Sequence, residues 1–448
     1  VSDGFPTGTE ARAQLTWRKR RGTWWRLGFL ASLIVAVLAL LTLLYTVLNQ
    51  SFGLVAVVNT IDPDEIVAEL GLPGGTDLAA LDQEGLVTIL VNHLTRNAGR
   101  QLEREQRFLA DRLVFEADES WARLCAGSTP PSGCTLPPRD RANAYSLVLE
   151  RVVEPDIIAS FTFTQSVLRR DEIEAVVAEG LPGAELEFRS WVSAAFLTSP
   201  QNPSPELAGI RTAILGSLWM LAITIVFAFP VGVAAAVYLE EYAANNRVSR
   251  IIRINISNLA GVPSIIYGML GLAIFVRALE SITSGSAFGV AGAGEVANGR
   301  TLLAAGLTLG LLVLPVVIIS AQEALRAVPQ TLRRAGLALG ATKWQTIRAH
   351  VLPNAAPGIL TGAILAMARA FGETAPLVVV GASTFITVDP SGPFSKFTVL
   401  PIQIFQWTSR PQPEFQNLAA AAIVVLVVLL LALNATAIIM RTRFRRSY

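Results

Sequence analysis

Residues 323–353 read EALRAVPQTLRRAGLALGATKWQTIRAHVLP. The stretch lies between two apolar runs, 301–321 and 356–381, and is rich in arginine. It is long for a connection between two helices that cross a bilayer. The spacing predicts two short helices hinged at Gly340, because glycine takes the left-handed conformation that ends a helix at little cost. Thr342 is placed to cap the second helix, predicted over 342–351. Trp344, Ile347 and Val351 recur at steps of three and four and share one apolar face. Pro353 is expected to stop the pattern before the next span. Such a segment is either an amphipathic helix on a membrane surface or a docking element for a partner.

The flanking runs belong to a set. The chain has 448 residues, of which 52% are hydrophobic and 16% charged, with a mean hydropathy of +0.50. A soluble domain carries roughly 25% charged residues, so the deficit points to a membrane. A bilayer crossing needs about 20 mostly apolar residues. Six stretches qualify: 27–49, 209–238, 255–277, 301–321, 356–381 and 416–440. The fold class expected is therefore an α-helical polytopic membrane protein with six transmembrane helices.

The net charge of +2 hides two opposite populations. Segment 1–26 holds WRKRRGTWWR (17–26), and the chain closes on RTRFRRSY (441–448). Basic loops stay on the cytoplasmic side, which places both termini there and requires an even number of spans. Loops 239–254 and 322–355, with their arginines, then fall inside as well. The loops 278–300 and 382–415 fall outside and are poor in basic residues. Trp17, Trp24 and Trp25 suit the inner aromatic belt. The first apolar run exceeds the 7–15 residues of a signal-peptide core and no clear cleavage site follows, so an uncleaved first span is expected.

Between the first two spans lies a domain-sized block, 50–205, that holds most of the Asp and Glu. It is expected to be a small α or α+β extracytoplasmic domain. Helical patterns occur at 63–70, 82–113 and 171–180, while 146–153 and 184–192 suit either strand or helix. Cys125 and Cys134 bracket a Pro/Gly/Ser turn in this block. A disulfide closing a short loop is expected outside the cytoplasm, with two unpaired thiols as the alternative.

Several chemistries have no residues to carry them. No G-x-x-x-x-G-K-[ST] phosphate loop is present, and the lysines are only Lys19, Lys343 and Lys396. G-x-S-x-G and H-E-x-x-H are absent. His93 and His350 stand far apart and no C-x-x-C occurs, so no metal site is expected. No enzyme activity, cofactor or nucleic-acid partner is expected. GAGEVANG at 292–299 lacks the lysine and is taken as a flexible loop.

One apolar run carries charge. Residues 363–381 read AILAMARAFGETAPLVVVG, with Arg369 and Glu373 four apart and Gly372 and Pro376 beside them. A charge at membrane depth costs about 2.5–3.5 kcal/mol on insertion scales and usually faces the bundle interior or a water-filled path. Residues i and i+4 share a helix face and can pair. A guanidinium also matches the oxygens of phosphate. Three roles stay open: a transient contact of Arg369 with a translocated anion, a gating or structural ion pair at a subunit interface, and a pair snorkelling to the membrane surface. Arg369, Glu373 and the adjacent Thr374 are the candidate pathway residues. Glu240 and Glu241, at the end of the second span, suit a solvated pair or a coupling role equally.

The 323–353 loop resembles the EAA loop of ABC-importer permeases. The register falls on Arg334-Ala335-Gly336, Gly340, His350 and Leu352-Pro353. Arg334 stands where that pattern has glutamate and His350 where it has isoleucine. Further stretches narrow the resemblance: LEEYA (239–243), GVPSIIYGMLGLAIF (261–275), EALRAVP (323–329), ALGATKWQTI (338–347), ARAFGETAPL (368–377) and RPQPEFQNLAAAAIVV (410–425). Together, over 205–448, they look like the PstA-type phosphate permeases. That family has charged residues just ahead of E-A-L in several members, where this chain has Ile319 and Gln322.

The resemblance implies a heteromeric importer in the bacterial cytoplasmic membrane. A PstC-like sister permease completes the pathway, a PstB-like ATPase dimer hydrolyses ATP, and a phosphate-binding protein delivers inorganic phosphate. It also implies that Arg334, Ala335, Gly336, Gly340, Trp344, Leu352 and Pro353 form the coupling element for the ATPase. Rival readings are a secondary anion transporter or channel, a membrane-anchored sensor, and a permease for sulfate, molybdate or phosphonate.

Overall fold

A computed structural model describes residues 9–59, 161–180, 184–289, 298–382 and 388–443. It also describes 63–69, 78–82, 85–86, 155–160, 385–386 and isolated positions nearby. Cys125 and Cys134, the 82–113 pattern beyond its first residues and most of GAGEVANG lie outside the described residues.

Helix α1, Thr9–Ser51, runs without a break into strand β1, Phe52–Asn59. Up to Asn59 the strand FGLVAVVN is an unbroken apolar run, buried on both faces over 53–57. Hydrophobicity alone cannot separate such a strand from the end of a long apolar helix. Helix α2, Pro63–Glu69, follows. Strand β2 is Pro155–Ser160, the short α3 is Phe163–Leu168, and the 171–180 pattern becomes the single helix α4, Arg170–Gly180. Strand β3 is Glu185–Ser190 and the short α5 is Ala194–Thr198.

The sheet order is β2-β1-β3 with both pairings antiparallel. The register sets Leu54 against Phe188 and Val55 against Ser160. Strand periodicity then divides β1 between two cores. Val55 and Val57 join Ile157, Trp191 and Phe196 in a cluster that continues into the helical bundle through Leu400, Trp407 and Phe415. Leu54 and Ala56 face Ile173 and Val177 of α4. The inserted block is thus α+β and is welded to one end of the bundle.

In the bundle, α6 is Arg211–Tyr242 and α9 is Leu302–Arg326. They cross closely because α9 offers no side chain at Gly306, where the Thr224 hydroxyl donates to the Gly306 carbonyl at 3.0 Å. The predicted span 255–277 is not one helix. It divides into α7, Arg247–Ala260, and α8, Ser264–Ala278, bent by 103°. Gly261-Val262-Pro263 is the cause, since proline lacks an N–H and keeps the preceding residue out of the helical region. Among the described residues, five helices are long and apolar enough to cross a membrane, or six if this bent pair counts as one.

The predicted boundaries of the fifth span also shift. Helix α11 runs over Lys343–Gly372 without interruption, so Pro353 does not stop it. A π turn at Ile347–Val351 precedes the proline, and such a wide turn absorbs a missing N–H. The helix ends instead at Glu373, whose backbone is extended, and the short α12 covers Ala375–Val380. Pro376 explains the break, because its ring clashes with the carbonyl four residues back, that of Gly372. The expected loop 382–415 contains a helix, α13, Leu400–Thr408, buried at Leu400–Gln403 and Trp407 and exposed at Phe405. Asp389 ties this segment to the start of α6 through Arg211, 2.8 Å away, and the Thr212 hydroxyl, 3.0 Å away. The last helix, α14, is Pro413–Arg443.

Candidate functional site: a charged clamp and a broken span

The 323–353 loop folds as its turn chemistry predicts. Helix α10, Gln330–Ala338, ends in a left-handed Gly340 with φ +83°. The Ala341 N–H donates to the Gly336 carbonyl at 3.1 Å and the Gly340 N–H to the Leu337 carbonyl at 3.0 Å. This is the paired bonding of a Schellman turn. Thr342 caps α11 reciprocally with Gln345: the Gln345 N–H donates to the Thr342 hydroxyl and the Thr342 N–H to the Gln345 side chain.

The two helices touch where α10 has no side chain. A Cβ on Gly336 would lie 2.8 Å from Thr346. Thr346, not Trp344, therefore fills the inward position beside Ile347 and Val351, which are buried. The shared apolar face expected of Trp344, Ile347 and Val351 is corrected accordingly: Trp344 is 52% exposed. Arg334 and Ala335 are exposed, and Leu352 and Pro353 are half-buried inside the continuous α11. Leu337, Leu339 and Trp344 leave an apolar surface edged by Arg334 and Lys343.

A clamp that sequence reading left undecided holds this hairpin. Glu241 accepts from Arg333 Nη2 at 2.8 Å and Nε at 3.0 Å. The two side chains are only 7% and 12% exposed. Arg333 also donates to the Val328 and Leu325 carbonyls at 2.6 and 2.8 Å. Glu240 receives Arg326 Nε at 2.9 Å and Arg253 Nη1 at 3.1 Å. The LEEYA end of α6 therefore gathers α7, the end of α9 and α10 onto two carboxylates. It is not a solvated pair. Between these groups lies a cleft of about 340 Å³ bordered by Glu240, Arg326, Gln330, Arg334 and Lys343. The Lys343 ammonium rests 5.0 Å above the Tyr242 ring. Arg333 carried no sequence signal beyond its charge, because its partner lies 92 residues away.

At the other end of α11, Arg369 Nε meets Glu373 Oε1 at 3.3 Å. The i,i+4 pair forms although Glu373 sits at the helix break. Arg369 remains 44% exposed and Glu373 19% exposed. Thr374 takes the position before α12 without a side-chain cap. Ala366 and Ala370 on the neighbouring face of α11 are buried with Tyr267, Val313 and Val317. A guanidinium half-open beside an interrupted helix can meet an anion or a second subunit. Gln322 of α9, level with 358–362 of α11 rather than with Arg369, is buried and its Nε2 lacks a hydrogen-bond partner.

Residues 228–447 match the family described as binding-protein-dependent transport system inner membrane component. The phosphate transport system permease protein PstA of Xylella fastidiosa is 32% identical over 270 residues, covering 60% of this chain and 85% of that protein. PstA 1 of Mycobacterium tuberculosis is 35% identical over 314 residues, covering 67% and 92%. A probable ABC transporter permease of Bacillus subtilis, YqgI, is 35% identical over 219 residues, covering 48% and 68%. Among solved structures, a chain of the inward-facing MetNI methionine ABC transporter aligns with 53% of this chain and 98% of its own, at 21% identity and a TM-score of 0.41. With up to 92% of a relative spanned at 35% identity, the chain belongs to the PstA family of phosphate transport permeases.

Proposed function

We infer that this chain is the permease subunit of an ATP-driven importer of inorganic phosphate. It carries no ATPase chemistry of its own; ATP is hydrolysed by a separate subunit. The names of the relatives favour phosphate over sulfate, molybdate or phosphonate. In this reading a PstC-like sister permease forms the other half of the pathway. A PstB-like ATPase dimer docks on the hairpin of α10 and the start of α11. A phosphate-binding protein delivers substrate at the face carrying the inserted domain. The arginine-rich ends and loops set both termini and the hairpin in the cytoplasm of a bacterium and the 50–205 domain outside.

The observation that carries the mechanism is the continuity of α11. Lys343 at the hairpin and Arg369 at the break lie on one helix, about 39 Å apart at 1.5 Å per residue. The Glu241–Arg333 clamp fixes α10 to α6 at the same end. A displacement imposed on the hairpin by a closing ATPase is then passed along α11 to the charged pair. There the break at Glu373 lets α12 respond separately. Arg369 engages phosphate or the sister subunit in one state and Glu373 in the other. Arg334, Ala335, Leu337 and Trp344 are the docking residues, and Gly336 and Gly340 shape the hairpin that presents them.

The test is uptake of radiolabelled phosphate in a strain without high-affinity uptake, carrying this gene with its chromosomal neighbours. Uptake that needs ATP, that phosphate alone competes away and that R369A loses while still inserting supports the reading. Competition by sulfate or molybdate would assign another oxyanion.

A further inference from the structure

The inserted domain carries an apolar face that nothing among the described residues covers. Phe163, Val167, Leu168 and Phe188 are all exposed, Leu168 by 76%. The Phe163 and Phe188 rings meet edge to face at 6.4 Å. In α3, Phe163 and Val167 lie one turn apart, and Thr164 and Leu168 one turn apart on the adjoining stripe. The fourth residue, Ser166, turns inward and its hydroxyl accepts the Leu54 N–H at 2.8 Å. The short helix thus has a polar side bonded to the domain and an apolar side left open.

The height of this face is fixed by α1. The Thr164 N–H and hydroxyl donate to Asn49 Oδ1 at 2.8 and 2.7 Å, and the Tyr45 and Thr164 hydroxyls are 2.6 Å apart. The apolar run of α1 starts at Leu27, directly after Arg26. Tyr45 lies 18 positions further, about 27 Å along the axis. The hydrocarbon layer is about 30 Å thick. Tyr45 therefore sits at its far edge, where tyrosine is favoured, and α3 is tied beside it at headgroup level. The side chains of α1 from Leu27 to Tyr45 are exposed along their length, so the apolar face of α3 continues the lipid-facing surface of α1.

We propose that Phe163, Val167, Leu168 and Phe188 insert into the interfacial layer of the bilayer leaflet on the inserted-domain side. They form a lipid-seated foot that sets the height and tilt of that domain over the bundle. The partner is a phospholipid surface. The physical logic is that of an interfacial helix, in which an apolar side enters the headgroup–acyl boundary while the polar side stays wet. The proposal stands independently of the substrate.

The test uses the full chain in phosphatidylcholine–phosphatidylglycerol nanodiscs, with Cys125 and Cys134 replaced by serine and a spin label at Phe163→Cys, Val167→Cys or Leu168→Cys. Collision rates with oxygen, which concentrates in lipid, are compared with those of a water-soluble nickel complex. Leu38→Cys in mid-α1 is the lipid reference and Glu179→Cys on α4 the water reference. The expected result is an oxygen-to-nickel ratio several-fold above that of Glu179→Cys and below that of Leu38→Cys. A ratio equal to that of Glu179→Cys overturns the proposal. So does a label frozen and shielded from both agents, which would mean that protein covers the face. A photo-crosslinking phenylalanine analogue at position 163, with both cysteines intact, gives a second reading. A phospholipid adduct supports the foot, and a protein adduct or attack by water overturns it.

Discussion

Removing the carboxylate at Glu241 tests the clamp most directly. Glu241→Ala leaves the Arg333 guanidinium 12% exposed and without its counter-charge. Breaking a buried pair by deleting one partner costs about 3–5 kcal/mol. Arg333 keeps its two carbonyl acceptors, so the lower end, about 3 kcal/mol, applies. At 1.4 kcal/mol per factor of ten, the population of α10 detached from α6 should rise roughly a hundred-fold. Hydrogen exchange in nanodiscs reads this locally. Amides of Gln330–Ala338 should exchange about a hundred-fold faster, while those in the middle of α9 stay protected. In proteoliposomes holding the complete transporter, phosphate moved per ATP hydrolysed should fall, because a loosened hairpin no longer transmits displacement to α11. The charge swap E241R with R333E should restore part of both. Unchanged exchange in α10 together with normal coupling would refute the clamp as a transmitting element.

Four other outcomes follow from the same geometry. Gly340→Val forces a β-branched residue into φ +83°, which should cost on the order of 1–3 kcal/mol and be seen as faster exchange over 336–345 and weaker transport. Gly336→Val meets Thr346 at 2.8 Å; ATPase stimulation should drop, and the double variant with Thr346→Ala should recover part of it. Trp344→Glu changes an exposed side chain, so the permease should insert and melt normally while its ATPase co-purifies poorly in detergent. Arg369→Lys keeps the charge but loses the planar fork. If Arg369 grips phosphate bidentately, KM for uptake should rise at least several-fold, whereas unchanged KM and kcat would confine Arg369 to its pairing with Glu373.

The spans, the basic ends and the turn chemistry at Gly340 and Thr342 were legible in the sequence, because each rests on neighbours within a few positions. The Arg369–Glu373 pair was legible for the same reason: i,i+4 spacing brings the two groups together whatever surrounds them. Two expectations failed where a local rule had an alternative solution. Pro353 predicts a stop, but a π turn ahead of it lets the helix continue. Hydrophobicity predicts one straight helix over 255–277, although Gly261-Val262-Pro263 already holds the signal for the bend.

The tertiary structure decided everything that depends on which distant groups meet. Strand β1 was hidden because its apolar residues prolong those of α1; its partners, at 155–160 and 185–190, lie more than a hundred residues away in part. Thr346 turns inward and Trp344 outward because Gly336, on another helix, receives Thr346 where it has no side chain of its own. Glu241 could have been a solvated end of a span until Arg333 arrived from the far side of α9. A sequence determines conformations that short spacing enforces; the burial and partner of a charge are set by the complete packing, since no local term says which side chain will stand opposite.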